Sequence, residues 1–305
     1  MFNQIQLMMN KIKTIFTVKD LENLSGIKAH TLRIWEKRYQ IFSPQRTEHN
    51  IRLYDTEDLK NLLNISFLNT FGYKISKIAK LSEEERQQLV SSIYNEKSQR
   101  DLAISNFKVA MLQFDAQLFH QVYEDICKDK SFKEVFYTIF IPLLDEIGML
   151  WQTGTIKPSH EHFISYLIKQ KLNSIIEDLQ LRTPVTSDKI YILFLPQSEV
   201  HDLGLMFINA ELIQKGYSTV FLGDNIPIDD LQDFVNHFDS ITFISYFTVA
   251  PAIDELSSYL SDFKEKILDT TDNELYVLGK QMQHVSTLPE QIRKFERIES
   301  LFAEI

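Results

Sequence analysis

The chain's 305 residues leave room for two or three domains, and a hydrophobic content of 44% is enough to build real cores. No apolar run approaches a membrane span, Met1 to Lys13 lack the features of a secretory signal, and the single Cys127 excludes an internal disulfide framework, which fits a reducing cytoplasm. Charge is unevenly placed, since residues 1–80 hold 13 Lys and Arg against 7 Asp and Glu whereas 81–305 hold 19 against 35, so an anionic partner is expected at the head alone.

Residues 14–80 read as short helices with one irregular interruption. Thr17 caps a first helix with an acidic first turn, and Ser25-Gly26 stops it. A second helix, about Lys28 to Tyr39, follows at once, giving the helix-turn-helix pattern. It presents His30, Thr31, Arg33, Lys37 and Arg38 as donors for phosphates and base edges, with Trp35 and Tyr39 among them to pack or stack. Phe42 to Tyr54 reads as a small β-wing with a polar tip, and Thr56-Glu57-Asp58-Leu59 caps another helix running to Phe71-Gly72. Leu32 is read as core, a role that Trp35 and Tyr54 also suit.

This segment resembles the MerR-family DNA-binding domain. The resemblance is carried by Thr31-Leu32-Arg33-x-Trp35-Glu36-Lys37-Arg38-Tyr39, Pro44-x-Arg46, Arg52-Leu53-Tyr54, Asp58-Leu59 and Phe71-Gly72-Tyr73 to Ile78. It implies a winged helix-turn-helix domain that binds a double-stranded DNA operator or promoter. The DNA-binding residues would be His30, Thr31, Arg33, Lys37, Arg38, Tyr39, Arg46, Asn50 and Arg52.

Residues 81–100 are polar and read as a linker with some helix, so the domain boundary falls there. From 101 to 182 the apolar spacing is helical, in segments near 101–113, 115–128, 131–152 and 158–180, which predicts a four-helix bundle. At the last junction stand Trp151, Glu161 and His162. An indole there can lid a flat ligand, or else plug the bundle end beside a His-rich exposed loop.

From Ser187 to 305 strands and helices alternate (189–196, 202–216, 218–223, 228–238, 240–247, 250–267, 274–279 and a stretch near 288–303), which predicts a doubly wound, Rossmann-like parallel sheet. Glu199-x-His201-x-x-Gly204 sits on the loop after the first strand, at the carboxyl edge where such sheets bind ligands. A His there can give one ring nitrogen to a metal while Glu199 orients the other. Gly204 would let a bulky planar ligand approach the backbone.

Glu199 to Gly204 resembles the D/E-x-H-x-x-G fingerprint of cobalamin-binding Rossmann-like domains, and Leu222-Gly223 to Pro227 is similar to that family's L-G-x-x-x-P turn. Ser245 falls where the family has a serine facing the cofactor's nucleotide tail. Gly279-Lys280 stands where it has a Gly-Gly pair. Trp151-x9-Glu161-His162 looks like the signature of the helical cap in light-sensing and related MerR-type regulators. In their photoreceptor branch a His commonly follows the Trp, where this chain has Gln152.

The resemblance implies cobalamin, with adenosyl- and methylcobalamin as the forms considered, held between cap and sheet. His201 would be the cobalt ligand, and Trp151, Glu161, His162, Glu199, Gly204, Ser245 and Gly279 would also bind the cofactor. The expected protein is a cytoplasmic transcriptional regulator, not an enzyme, working as a homodimer or homotetramer with no membrane partner. A regulator with a cofactor-free or differently liganded sensor is the alternative, and a corrinoid methyl carrier is a third reading.

Overall fold

A computed structural model describes residues 14–93, 96–238, 240–269 and 271–305. Met1 to Lys13, read above for a secretory signal, and Asn95 of the polar stretch lie outside the described residues. The chain divides into two compact units between Leu167 and Ile168.

The first unit opens with α1 (Val18–Ser25) and α2 (Ala29–Tyr39). Thr17 and Asp20 form a reciprocal capping box at the start of α1, satisfying two of its orphan amides. Gly26, at φ 74°, ends it in the left-handed conformation that a side chain would disfavour. The expected wing is a two-stranded antiparallel ribbon, β1 (Gln45–Arg46) and β2 (Arg52–Leu53). Next come α3 (Thr56–Thr70), capped by Asp55 one residue ahead of the expected Thr56, and α4 (Ile75–Ile78). Leu21, Leu32, Trp35, Tyr54, Leu59 and Leu62 fill this small core. Trp35 and Tyr54 are therefore packing residues.

The polar stretch 81–100 is more helical than its composition suggests. It holds α5 (Glu83–Ser92) and the start of α6 (Glu96–Gln113). Ser82 and Glu85 make a capping box for α5, which is how a polar sequence stays helical there. Then follow α7 (Ala116–Cys127), α8 (Phe132–Val135), α9 (Ile141–Gln152) and α10 (Pro158–Arg182). The expected helix over 131–152 carries a π-turn, Phe136–Phe140, between α8 and α9. Phe107 packs its ring against Phe119 at 5.0 Å and Phe140 at 5.6 Å, so three helices share one aromatic core.

The second unit is a parallel five-stranded sheet in the order β4-β3-β5-β6-β7. Its strands are β3 (Ile190–Pro196), β4 (Ser218–Ile226), β5 (Ile241–Tyr246), β6 (Glu274–Leu278) and β7 (Ile292–Lys294). The helices α11 (Leu203–Gln214), α12 (Gln232–Val235), α13 (Ile253–Phe263) and α14 (Ile298–Phe302) alternate with them. Strand β4 runs past the expected end at 223 because Gly223, at φ 82°, absorbs a register slip opposite Phe194. Phe194, Phe243, Phe247 and Phe263 are fully buried in one core. The strand order turns at β3, flanked by β4 and β5, so the crevice of this sheet opens at the carboxyl ends of β3 and β5. Among the described residues, no helix is long and apolar enough to cross a membrane.

Candidate functional site

The loop between β3 and α11 carries His201, and its geometry is set by Glu199. The Glu199 side chain is 0% exposed. Its Oε1 accepts from the backbone N–H groups of Val200 and His201, both at 3.0 Å, and lies 2.5 Å from His201 Nδ1. Its Oε2 accepts from the consecutive N–H groups of Thr248, Val249 and Ala250 at 2.8, 2.7 and 3.0 Å. One buried carboxylate thus ties the loop after β3 to the loop after β5, across the switch point of the sheet. Burial alone would raise its pKa. The hydrogen bonds from His201 and from the Ala250 and Val249 amides outweigh that and hold it at about 2. Because Nδ1 is committed to a carboxylate, any metal bond from this imidazole comes from Nε2, on a side chain 48% exposed. The next residue, Asp202, pairs with Lys169 at the base of the same loop.

The other sheet candidates differ in what surrounds them. Ser245 on β5 is 0% exposed, and its Oγ has no hydrogen-bond partner among the described residues. A buried hydroxyl left so costs about 1–3 kcal/mol, which is the mark of a group awaiting a partner. Gly279 follows β6 at φ 104°, and a Cβ there would stand 2.3 Å from the Phe247 carbonyl oxygen. That position admits only glycine. Its neighbour Lys280 is exposed, so its chain does not fill the interior. Beside Gly204, the group that comes close is the Tyr246 ring, 3.0 Å from where a Cβ would be.

In the first unit, Trp151 ends α9 with 55% of its surface exposed, so it does not plug the bundle. His162 is exposed beside Glu161 at 3.3 Å, and Glu161 also accepts from Ser165 Oγ at 2.9 Å. His160 plays a different part, buried and stacked on Phe114 with its Nδ1 accepting from the Lys157 amide. It is a helix-start residue rather than part of an exposed His-rich loop.

On the head, His30, Arg33 and Lys37 are exposed on α2 at helical spacing, with Ile34 among them at 53% exposure. Arg38 is exposed and lies over the half-buried Tyr39 ring, while Thr31 is half-buried. The wing residues are held from behind. Glu36 takes Arg52 Nε at 2.9 Å, the Tyr54 hydroxyl at 3.0 Å and Arg46 at 3.5 Å, and Arg46 also donates to Asn50 Oδ1 at 2.6 Å. Burial, and then the charge of Glu36, pushes the Tyr54 hydroxyl pKa up, so it remains a donor. Sequence reasoning named the arginines and missed this hub, whose only signal is its place between Trp35 and Lys37. The three amides on Glu199 had no sequence signal at all.

Comparison with known proteins identifies the head and the helical segment that follows it. Residues 16–85 match the family model of the MerR HTH family regulatory protein, and residues 103–176 that of the B12 binding domain. The chain is 25% identical over 214 residues to the HTH-type transcriptional repressor CarH of Myxococcus xanthus, covering 68% of this chain and 70% of that protein. It is 26% identical over 250 residues to the HTH-type transcriptional repressor CarA of the same organism, covering 80% and 81%. Among solved structures, the Methanosarcina barkeri monomethylamine corrinoid protein superposes with a TM-score of 0.51 at 11% identity, over 61% of this chain and 87% of that one, a likeness of fold. A MerR-type DNA-binding head and a B12-binding domain thus stand in one polypeptide, and the chain is a MerR-type transcriptional regulator that carries a B12-binding domain.

Proposed function

We propose that this regulator senses cobalamin, cofactor occupancy controlling its oligomeric state or DNA affinity, and that it represses transcription, CarH and CarA being named as transcriptional repressors. The observation that carries the reading is the Glu199–His201 pair. A buried carboxylate fixes the imidazole's tautomer and orientation, the arrangement by which proteins raise a ligating His toward a metal. The orphaned Ser245 hydroxyl would supply a polar contact for a buried nucleotide tail, and Gly279 would contribute by letting the Phe247 backbone lie close against the end of β6. Cobalamin, once bound, would supply a cobalt centre with exchangeable ligands. His201 would ligate the cobalt, and Trp151, Glu161 and His162 would contribute to holding the cofactor. The upper ligand is taken to be adenosyl or methyl, and the assembly a homodimer or homotetramer. His30, Arg33 and Lys37 on α2, with Arg38, Arg46 and Asn50, would face the DNA of an operator or promoter.

The test is a titration of the purified chain with hydroxo-, methyl- and adenosylcobalamin in the dark, followed by desalting and absorption spectroscopy. Stoichiometric retention with an altered spectrum supports the reading. Loss of all three forms on desalting refutes it.

A further inference from the structure

The DNA-binding helices and the Trp151 turn belong to one compact unit, and they are hydrogen-bonded to each other directly. Asn23, in the last turn of α1, donates from Nδ2 to Thr155 Oγ1 at 2.7 Å. Thr155 lies four residues beyond Trp151 and is 1% exposed. Its hydroxyl is 3.0 Å from Thr153 Oγ1, and its N–H bonds the Leu150 carbonyl at 3.0 Å. Gly154, at φ 67°, makes the reversal between them. The turn that carries the indole is therefore the turn that holds Asn23.

A second tie lies one residue on. Lys108 of α6 is 7% exposed, and its Nζ donates to the Leu24 carbonyl at 3.2 Å and to Glu146 Oε2 at 2.8 Å. The last turn of α1 has no basic residue of its own. Lys108 supplies from another helix the cation that a helix C-terminus favours. Glu146 belongs to α9, the helix that ends at Trp151 and Gln152. Beside these ties lies a cleft of about 290 Å³, with Ser25, Ser66, Thr70, Asp101 and Ser105 on its wall. At this place the head is tied to the bundle by hydrogen bonds and an ion pair beside a cleft with polar groups on its wall.

We propose that the Asn23–Thr155 and Leu24–Lys108–Glu146 contacts form a joint through which the Trp151 turn controls the DNA-binding helices. The proposal rests on the cobalamin reading above and adds the route of regulation. The joint acts on the end of α1, and three residues separate Ser25 from the start of α2 at Ala29. A ligand that moves the turn shifts the joint between closed and open, by no more than its difference in affinity for the two states. By linkage, DNA that favours one state favours the matching occupancy of the cap.

The test is hydrogen–deuterium exchange on the full chain, as wild type, Thr155→Val and Asn23→Ala, with and without adenosylcobalamin, uptake being read from the absorption spectrum of the same samples. Thr155→Val keeps the shape of the buried side chain, and Asn23→Ala changes a half-buried one, so the fold survives in at least one of them. Without cofactor, each variant is expected to exchange roughly five-fold faster across 18–27, the worth of one typical hydrogen bond, with bundle peptides unchanged. With cofactor bound, exchange across 18–39 should change in the wild type and not in the variants. Uptake by all three proteins with identical responses overturns this proposal alone. Unaltered exchange across 18–27 in both cofactor-free variants overturns it too. Failure of every protein to take up cobalamin overturns the cofactor reading and this proposal together.

Discussion

Replacing Glu199 by Gln tests the centre of the sheet site, because it keeps the shape of the side chain and removes its charge. The folded-state pKa of about 2 stands against an ordinary value of 4.5. That difference contributes about 3 kcal/mol of stability at neutral pH, a large share of the roughly 5–15 kcal/mol that holds a domain folded. The sign follows from the lowered pKa. The stabilisation is fully present above pH 4.5 and is lost as the pH falls through that value toward 2. Glu199→Gln should therefore unfold about 3 kcal/mol more readily than wild type at pH 7, and the gap should close toward zero near pH 2. Denaturant unfolding followed by far-ultraviolet circular dichroism at pH 7, 5 and 3 measures the gap. Hydrogen exchange at the Thr248, Val249 and Ala250 amides assigns it to this loop, since those amides donate to the carboxylate. A variant within 1 kcal/mol of wild type at pH 7, or a gap that does not narrow with acid, would refute the view that this carboxylate holds the two loops together.

Three further outcomes are expected. His201→Ala should bind cobalamin more weakly and lose the spectral signature of a protein-derived lower ligand with the fold intact, and a spectrum identical to wild type would remove His201 from the cobalt. Arg33→Ala should weaken binding to duplex DNA and reduce the log–log salt slope by about 0.9, the worth of one phosphate contact, as fluorescence anisotropy across a salt series would show. Gly279→Ala should destabilise the sheet unit by about 3 kcal/mol or more, because a positive φ and a backbone clash coincide there, whereas Lys280→Gly at an exposed position should stay within about 0.5 kcal/mol in thermal unfolding.

What the sequence made legible was whatever repeats along one element. The helix-turn-helix pair, the bundle segments and the alternation after Ser187 all announce themselves through local spacing, caps and β-branched runs, and each is present. The boundaries that slipped did so for reasons that spacing does not encode. The stretch 81–100 is polar, yet capping by Ser82 makes much of it helix. Strand β4 continues through Gly223 because a bulge takes up the extra residue. For His201, the place on a strand-end loop was legible, because an acid two positions before it and a glycine three positions after it follow an apolar strand run. Its supports were not. Thr248, Val249 and Ala250 contribute backbone amides that any residue but proline carries, and Tyr246 approaches Gly204 only because the sheet register brings β5 beside the start of α11.

The two candidate sites share a construction that neither list of cations and ligands conveys. In the head, Glu36 gathers Arg52, Tyr54 and Arg46, fixing the wing against α2. In the sheet, Glu199 gathers His201 and three amides, fixing one loop against another. Each acid is shielded from solvent and surrounded by donors, so removing it leaves several groups unpaired at once, whereas removing one donor leaves the others in place. Loss of Arg52 should therefore be milder than loss of Glu36, although Arg52 is the residue that resembles a DNA contact. The same asymmetry separates His201, whose loss affects the ligand, from Glu199, whose loss affects the ligand and the fold together. Among the described residues, no such hub lies beneath the exposed groups Arg33, Lys37 and Trp151. They are the positions where a change in partner can be read without a change in stability.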